Sequence, residues 1–370
     1  MAPPSKTVND QLADANDIIR KQHTQLLMQQ KELRKIKTDN DAAAKIRTEI
    51  YGLKDMSPSP PAWLVKPRNP KLPGVPMTIW SDFHAGEVVV PAQVGGVNEF
   101  NMTVLEQRIK RLVDITLDLT LHHMMNPNYP GIVVMLGGDM ITGAIHEELA
   151  ITNEVPVQVA LIKLQGMLIS ALTIMADKFG KVFVPCVVGN HGRDTIKPRH
   201  KNRVFQSYEW NLYCQLELHF RDDPRLQFFI PEEVDAYFSV LGHRFLLTHG
   251  DSLGVKGGDG IIGVLGPMAR GAIKVGRNAA QVGRDFDTLV IGHYHTRVPR
   301  SDAMPLLANG CLIGFNEYAH LRLRVPYSRP SQELWFMHQK HGFTASWPVY
   351  LDEKRKSEDS AEWITWQRRK

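Results

Sequence analysis

The chain has 370 residues, of which 43% are hydrophobic, 22% charged and 8% aromatic. These ordinary globular proportions exclude wholesale disorder, a collagen-like repeat and a small disulfide scaffold. The net charge of +5 is too mild to announce a nucleic-acid binder by itself, whereas the 15 histidines are a surplus for this length.

Residues 9–50 are polar, almost free of Gly and Pro, and predict a helix. Leu12, Ile19, Leu26 and Leu33 recur every seven residues, and a second phase continues through Ile36, Ala43 and Ile50. The companion positions Ala15, Gln22 and Gln29 are weak, so the seam is an imperfect coiled coil. Three uses fit it: a helix lying on its own domain, a homo-oligomer formed through residues 9–50, or an arm facing DNA. We place this helical extension at residues 1–55. Residues 56–76 form a linker whose Pro58, Pro60, Pro61, Pro67, Pro70, Pro73 and Pro76 stop helix propagation and stiffen an extended chain.

The main domain is expected over residues 77–350. Short apolar runs predict buried strands at Met77–Trp80, Ile132–Leu136, Val182–Val188, Phe245–Thr248 and Thr288–Ile291. Longer periodic stretches predict helices at Val104–Met124, Val157–Lys178 and Val204–Phe220. Such alternation argues for an α/β fold with helices covering a sheet. A tail over residues 351–370 carries Trp363 and Trp366 beside Arg368, Arg369 and Lys370, a pattern that either docks a terminal helix or stacks on bases.

Three widely separated cysteines (Cys186, Cys214, Cys311) with no CxxC pair predict a reduced protein without a cysteine-based zinc site. The N-terminus lacks the apolar core of a signal peptide, and no stretch approaches about 18 uninterrupted apolar residues. A cytoplasmic protein with no membrane partner is the expectation.

The chemistry lies where each strand ends. MTIW runs into Ser81-Asp82-Phe83-His84, and IVVML into Gly137-Gly138-Asp139. VFVPCVV runs into Gly189-Asn190-His191-Gly192, FLLT into His249-Gly250-Asp251, and TLVI into Gly292-His293-Tyr294-His295. The carboxyl ends of strands line the ligand crevice of α/β sheets, so these side chains should converge. Glycine beside a ligand allows close backbone approach. In Asp82-x-His84 and His293-x-His295, period-2 geometry would send both side chains to one face. Any one motif alone is ordinary turn chemistry, but five together form the carboxylate and imidazole set that transition metals prefer.

The order D-x-H, G-D, G-N-H, H, G-H-x-H over residues 77–296 resembles the calcineurin-like metallophosphoesterase superfamily. GDMITGAIHEEL, GNHGRDTIKPRHKNR and THGDSLGVKGGDGIIG resemble phage-encoded phosphoesterases related to DNA-repair exonucleases. The resemblance implies a β-sandwich of two mixed sheets flanked by helices, and host cytoplasm as the location. It assigns Asp82, His84 and His295 to a first metal, and Asn190, His249 and His293 to a second, with Asp139 bridging and His191 facing the substrate. Many relatives carry Glu or Asp directly after Asn-His, where this chain has Gly192, and Asp194 is a candidate substitute.

Two divalent ions roughly 3.5–4 Å apart lower the pKa of a shared water and clamp both oxygens of an in-line displacement at phosphorus. Mn²⁺ is the first choice, and the ligand types also admit Fe, Zn, Ni, Co or Mg. Asn190 and His191 would be the catalytic pair, Asn190 as a neutral ligand and His191 either stabilising the transition state or protonating the leaving oxygen.

Substrate contacts are expected from basic loops. Arg193, Lys197, Arg199, Lys201 and Arg203 face only Asp194 in their stretch, and Lys256 opens a second basic stretch rich in glycine, with a mobile flap expected at Gly254–Gly283. Neutralising successive phosphates is the main source of sequence-independent nucleic-acid affinity. The expected activity is phosphodiester hydrolysis in nucleic acid, DNA before RNA. Two alternatives stay open: a phosphatase or phosphodiesterase on small nucleotides or phosphoproteins, and a nucleic-acid-binding assembly protein with a structural metal site. Gly258–Gly263 matches a dinucleotide fingerprint, but no strand immediately precedes it.

Overall fold

Alternate residues of each buried strand go to different cores, and this alternation sets the layers of the molecule. The computed structural model describes residues 74–352, except 125, 254–264, 302–303 and 324–325. The 1–55 extension, the linker up to residue 73, Lys256 and the tail beyond Asp352 lie outside the described residues. The described residues of Pro58–Gly276 and Asp285–Lys370 form one compact unit, while Arg277–Arg284 belongs to a second.

Ten strands build two mixed sheets among the described residues. The strands are β1 (Val75–Trp80), β2 (Ile132–Leu136), β3 (Val182–Pro185), β4 (Leu226–Phe229), β5 (Asp235–Val240), β6 (His243–Thr248), β7 (Thr288–Ile291), β8 (Leu306–Ala308), β9 (Ser331–His338) and β10 (Gly342–Tyr350). The first sheet has the order β10-β9-β1-β2-β3-β4 and the second β5-β6-β7-β8. β1 to β4 run parallel, as do β6 to β8, whereas β9 lies antiparallel to both β1 and β10, and β5 antiparallel to β6.

On β2, Val133 and Met135 enter the core between the sheets, while Ile132, Val134 and Leu136 face the helices. On β6, Phe245 and Leu247 enter the inter-sheet core and Leu246 the outer one; Val290 of β7 and Leu307 of β8 likewise point inward. Strands covered on both faces read as continuous apolar runs, which is why β2 and β7 carry the bounds expected from sequence.

Helices α1 (Met102–Leu117), α3 (Val157–Phe179) and α4 (Tyr208–His219) cover the first sheet, while the short α2 (Glu147–Thr152) buries none of its residues. α5 (Leu265–Gln281) contributes Met268 to the outer core of the second. α1 starts where the Asn101 side chain accepts from Val104 N, and its Leu105, Ile109, Leu112, Val113 and Thr116 are buried at helical spacing. The α-helix stops at Leu117 rather than running to Met124, because Asp118–His122 widens into a π turn. α3 is long and apolar enough to cross a membrane by length and composition, yet its Leu164, Leu168, Leu172, Met175 and Phe179 pack into the core.

The predicted helix Val204–Phe220 is broken. Val204–Gln206 forms a 3₁₀ turn, Ser207 is extended at φ −112° and ψ 130°, and its hydroxyl accepts from Glu209 N to start α4. A serine offers a backbone N–H a partner outside the helix, so it caps rather than continues.

Phe245 sits in the inter-sheet core, 1% exposed, with its ring stacked on Phe238 at 5.6 Å. Phe245→Ala is expected to cost about 3–5 kcal/mol of stability, read as a lower urea midpoint. A midpoint equal to that of the wild type would contradict this packing.

Candidate metal centre

All the predicted ligands lie in loops just beyond the carboxyl ends of β1, β2, β3, β6 and β7, where the parallel strands of both sheets end together. Six of them form two groups. Asp82, His84 and His295 make one, and Asp139, His249 and His293 the other, with ligand atoms within 4.8 Å of one another in each. In the first, His84 Nε2 lies 3.1 Å and Asp82 Oδ1 3.3 Å from His295 Nε2. In the second, His249 Nε2 lies 3.0 Å from Asp139 Oδ2.

The side chains do not converge for the reason the spacing implied. Asp82, His84, Asp139, His293 and His295 all have left-handed backbone, with φ between 49° and 65°. They are five of the seven non-glycine residues with positive φ among the described residues. A period-2 strand would send His293 and His295 to one face; the turning backbone instead delivers them to different groups. Left-handed residues of this kind cost about 1–3 kcal/mol each and persist only where the surroundings hold them.

Those surroundings are backbone hydrogen bonds between loops. Asp82 N donates to Gly138 O (3.0 Å), His84 N to Asp139 O (3.1 Å) and Gly292 N to His249 O (2.9 Å). Leu312 N donates to Asp82 O, and the buried Arg108 guanidinium in turn donates to the Leu312 and Ile313 carbonyls. Glycine is required where loops touch: a Cβ on Gly189 would lie 2.1 Å from Asp139 Oδ1, and one on Gly292 2.4 Å from Asp82 Oδ2. His293 N donates to both oxygens of Asp82, tying one group to the other.

The donor set fits divalent cations. His84 Nδ1 and Asn190 Oδ1 are buried without a hydrogen-bond partner, and His249 Nε2 faces the Asp139 carboxylate. Asn190 Oδ1 thus has an unused acceptor, as the neutral ligand assigned to the second group would. Buried polar atoms are costly unless something satisfies them, and a cation among acceptors does so. His249 Nδ1 donates to Gly137 O (2.9 Å), which turns Nε2 toward Asp139, an arrangement typical of ligating histidines. His84 Nδ1 lies 3.7 Å from Glu87, whose carboxylate also accepts from Asn316 and Thr142.

Burial, with His191 and His295 adding repulsion, holds His84 well below the usual imidazole range. Burial and the neighbouring His249 bring His293 down to about 4, so both rings are neutral. Burial works against charge on His249 too, but the Asp139 carboxylate outweighs it and lifts the ring to about 10.

His191 projects into the same crevice. Its ring lies 4.7 Å from that of His84, its backbone N–H donates to Asp139 Oδ1 (2.7 Å), and its Nδ1–H donates to Thr142 O (2.9 Å). A carbonyl can only accept, so this bond fixes the tautomer and leaves Nε2 as the free nitrogen.

The basic cluster divides. A solvent-open cleft of about 400 Å³ beside Asn190 is lined by Arg193, Arg199, Arg203 and Asp251, among others, which brings three of the predicted substrate residues next to the ligands. Arg193, however, spends its guanidinium on the carbonyls of Asn190, Thr195 and Ile196, and so braces its own loop. Arg203 is paired with Asp251 at 2.8 Å. Lys197 and Lys201 are exposed and do not line the cleft. Glu154 accepts from Met102 N at the start of α1, a helix N-terminus that favours a carboxylate.

Asp194 does not substitute for a missing acid. Its side chain is exposed and its backbone N donates to Gln206 O. Sequence reasoning missed Glu209, a fully buried carboxylate at the start of α4, which accepts from Met140 N and Gly189 N at 2.7 Å each. Burial, with the nearby Asp139 charge adding to it, pushes this carboxyl up to about 8. Its only sequence signal was Ser207, the cap that places an acid two residues later on the first turn.

No family model matches the chain, and no curated protein is significantly similar to it. Among solved structures it is similar to a single-residue mutant of Vps29 from Entamoeba histolytica, at 13% identity and TM-score 0.32 over 72% of this chain and 87% of that one. It is also similar to a dimetal phosphatase from Danio rerio, at 10% identity and TM-score 0.34 over 76% of this chain and 100% of that one.

Calorimetric titration with Mn²⁺ is expected to give two ions per chain. His295→Ala should leave one, and Asp139→Ala should weaken both. Two ions of undiminished affinity in both variants would show that these groups are not the ligands.

Proposed function

We propose that this protein is a dinuclear metal-dependent phosphoesterase that hydrolyses phosphodiester bonds of nucleic acid, with DNA preferred to RNA and Mn²⁺ as the metal. The observation that carries the reading is the pairing of two buried carboxylate–histidine groups with one tautomer-fixed histidine in a single crevice. The order of ligands along the chain, shared with calcineurin-like metallophosphoesterases, supports it.

Two divalent ions held there would supply Lewis acidity toward a phosphoryl oxygen and an acidified water. Asp82, His84 and His295 would hold one ion, and His249, His293 and Asn190 the other, with Asp139 between the groups. Asp139 is already oriented by the His191 N–H. Asn190 contributes an oxygen without negative charge, so the site stays attractive to a phosphate. His191, anchored through Nδ1, presents Nε2 to the leaving oxygen, where its imidazolium form, with a proton on each ring nitrogen, donates the Nε2 proton and returns to the neutral Nδ1–H ring.

Beside Asn190, Arg199 lines the cleft as an exposed cation. It suits the phosphate that flanks the scissile one along a polymer. A second reading, a phosphodiesterase on small nucleotides, is favoured by the inward turn of Arg193 and the pairing of Arg203, which withdraw two positive charges from a would-be DNA groove.

The test incubates the protein in Mn²⁺ with end-labelled single-stranded DNA, duplex DNA and RNA, beside mono- and diester nitrophenyl phosphates, with Asp139→Ala as control. Cleavage of DNA and of the diester is expected. Turnover of the monoester alone would defeat the nuclease reading, and cleavage of small diesters without DNA would select the second. His191→Ala should lower kcat on the diester by roughly 10²–10⁴-fold while both ions still bind.

A further inference from the structure

Glu209 belongs to neither ligand group, yet two of the loops that carry predicted ligands meet on it. Its Oε1 accepts from Met140 N, the residue directly after Asp139, and its Oε2 from Gly189 N, the residue directly before Asn190. One carboxylate therefore spans the loops that follow β2 and β3. The space around it is shaped to match. A Cβ on Gly192 would lie 2.6 Å from Glu209 Cγ, 2.7 Å from its Cδ and 2.8 Å from Ser207 Oγ. Gly192 is not among the glycines with left-handed backbone, so what the position excludes is volume.

We propose that Glu209 is the positioning residue of the metal centre, holding Asp139 and Asn190 at the separation that the second ligand group requires; this rests on the metal-binding reading above. A carboxyl group suits the task, because its two N–H donors favour the ionised form against the burial that disfavours it. Two N–H groups converge on two oxygens, whereas an amide of the same shape offers one acceptor and turns donors against the other N–H. Loss of one bond frees one loop, and with it one ligand. The acid arrives from a helix because Ser207 breaks the preceding turn and starts α4, setting Glu209 facing the loops.

The fit between Gly192 and Glu209 also defines an exchange. Two carbon–carbon bonds at a tetrahedral angle span about 2.5 Å. The carboxyl carbon of Glu209 lies 2.7 Å from the Cβ site of Gly192. A glutamate introduced at position 192 can therefore bring its carboxylate to the same place once the Glu209 side chain is removed and the Ser207 hydroxyl turns about χ1.

The experiment titrates Mn²⁺ by calorimetry into the full-length wild type, Glu209→Gln, Glu209→Ala and the double variant Gly192→Glu/Glu209→Ala, with far-ultraviolet circular dichroism to establish folding. Glu209→Gln is expected to stay folded and to bind the second ion 10–100-fold more weakly. The double variant should recover at least tenfold of that loss. Folded Glu209→Gln with wild-type affinity for both ions overturns the proposal, as does a folded double variant that binds no better than Glu209→Gln. Should Glu209→Ala not fold, Glu209→Gln and the double variant still decide the question. Absence of Mn²⁺ binding by the wild type would instead overturn the metal-centre reading itself.

Discussion

Electron pairs crowded at the ends of five strands are the constraint to which the rest of the structure answers. Imidazole nitrogens and carboxylate oxygens stand about 3 Å apart in buried space, and they reach it through left-handed backbone at Asp82, His84, Asp139, His293 and His295. Neither the mutual repulsion nor the backbone strain is favourable on its own terms. What offsets them is distributed: strands buried on both faces, loops that exchange backbone hydrogen bonds, Arg108 bracing the Leu312–Ile313 segment against Asp82, and Glu209 clasping the loops beyond β2 and β3.

The two groups share an electrostatic design. Each contains one carboxylate held ionised, one imidazole kept neutral by burial, and one imidazole drawn toward the cationic form. Asp139 does this to His249, while Cys311 and Asp82 do it to His295 against the pull of burial. Protons on His249 and His295 thus stand where positive charge is wanted. A divalent cation would supply the same compensation with more of it and would displace those protons, which would couple metal binding to proton release.

Much of this was legible in the chain. Ile132–Leu136 and Thr288–Ile291 appear with the bounds read from apolar runs, because both faces of those strands are covered. The residues of the two groups were legible as motifs at strand ends, although the period-2 argument for their convergence was wrong, since φ at a turn leaves no local signature in Asp-x-His. β9 was missed because Ser331, Gln332 and Glu333 look like a loop. They are buried, and their partners Ser81, Asn309 and Arg297 lie up to some 250 residues away. Glu209 was missed for the same reason, as its partners are backbone N–H groups that any sequence could offer. Arg193 was overvalued because a count of charges does not show which cations are already occupied by carbonyls.

The pairing of β9 with β1 has a consequence for how the site comes into being. β1 leads into Asp82 and His84, and it is flanked on one side by β9, with Ser81 N donating to Gln332 and Thr78 Oγ1 to the Glu333 carbonyl. The loop that receives Asp82 O is likewise contributed by Leu312 and Ile313. The segment that supplies the first ligands is therefore completed by strands made more than 200 residues later. During synthesis the crevice has no finished wall until His338 has emerged from the ribosome, so a nascent chain carries these residues before it has the crevice. A crevice built this way closes only after β9 has been made.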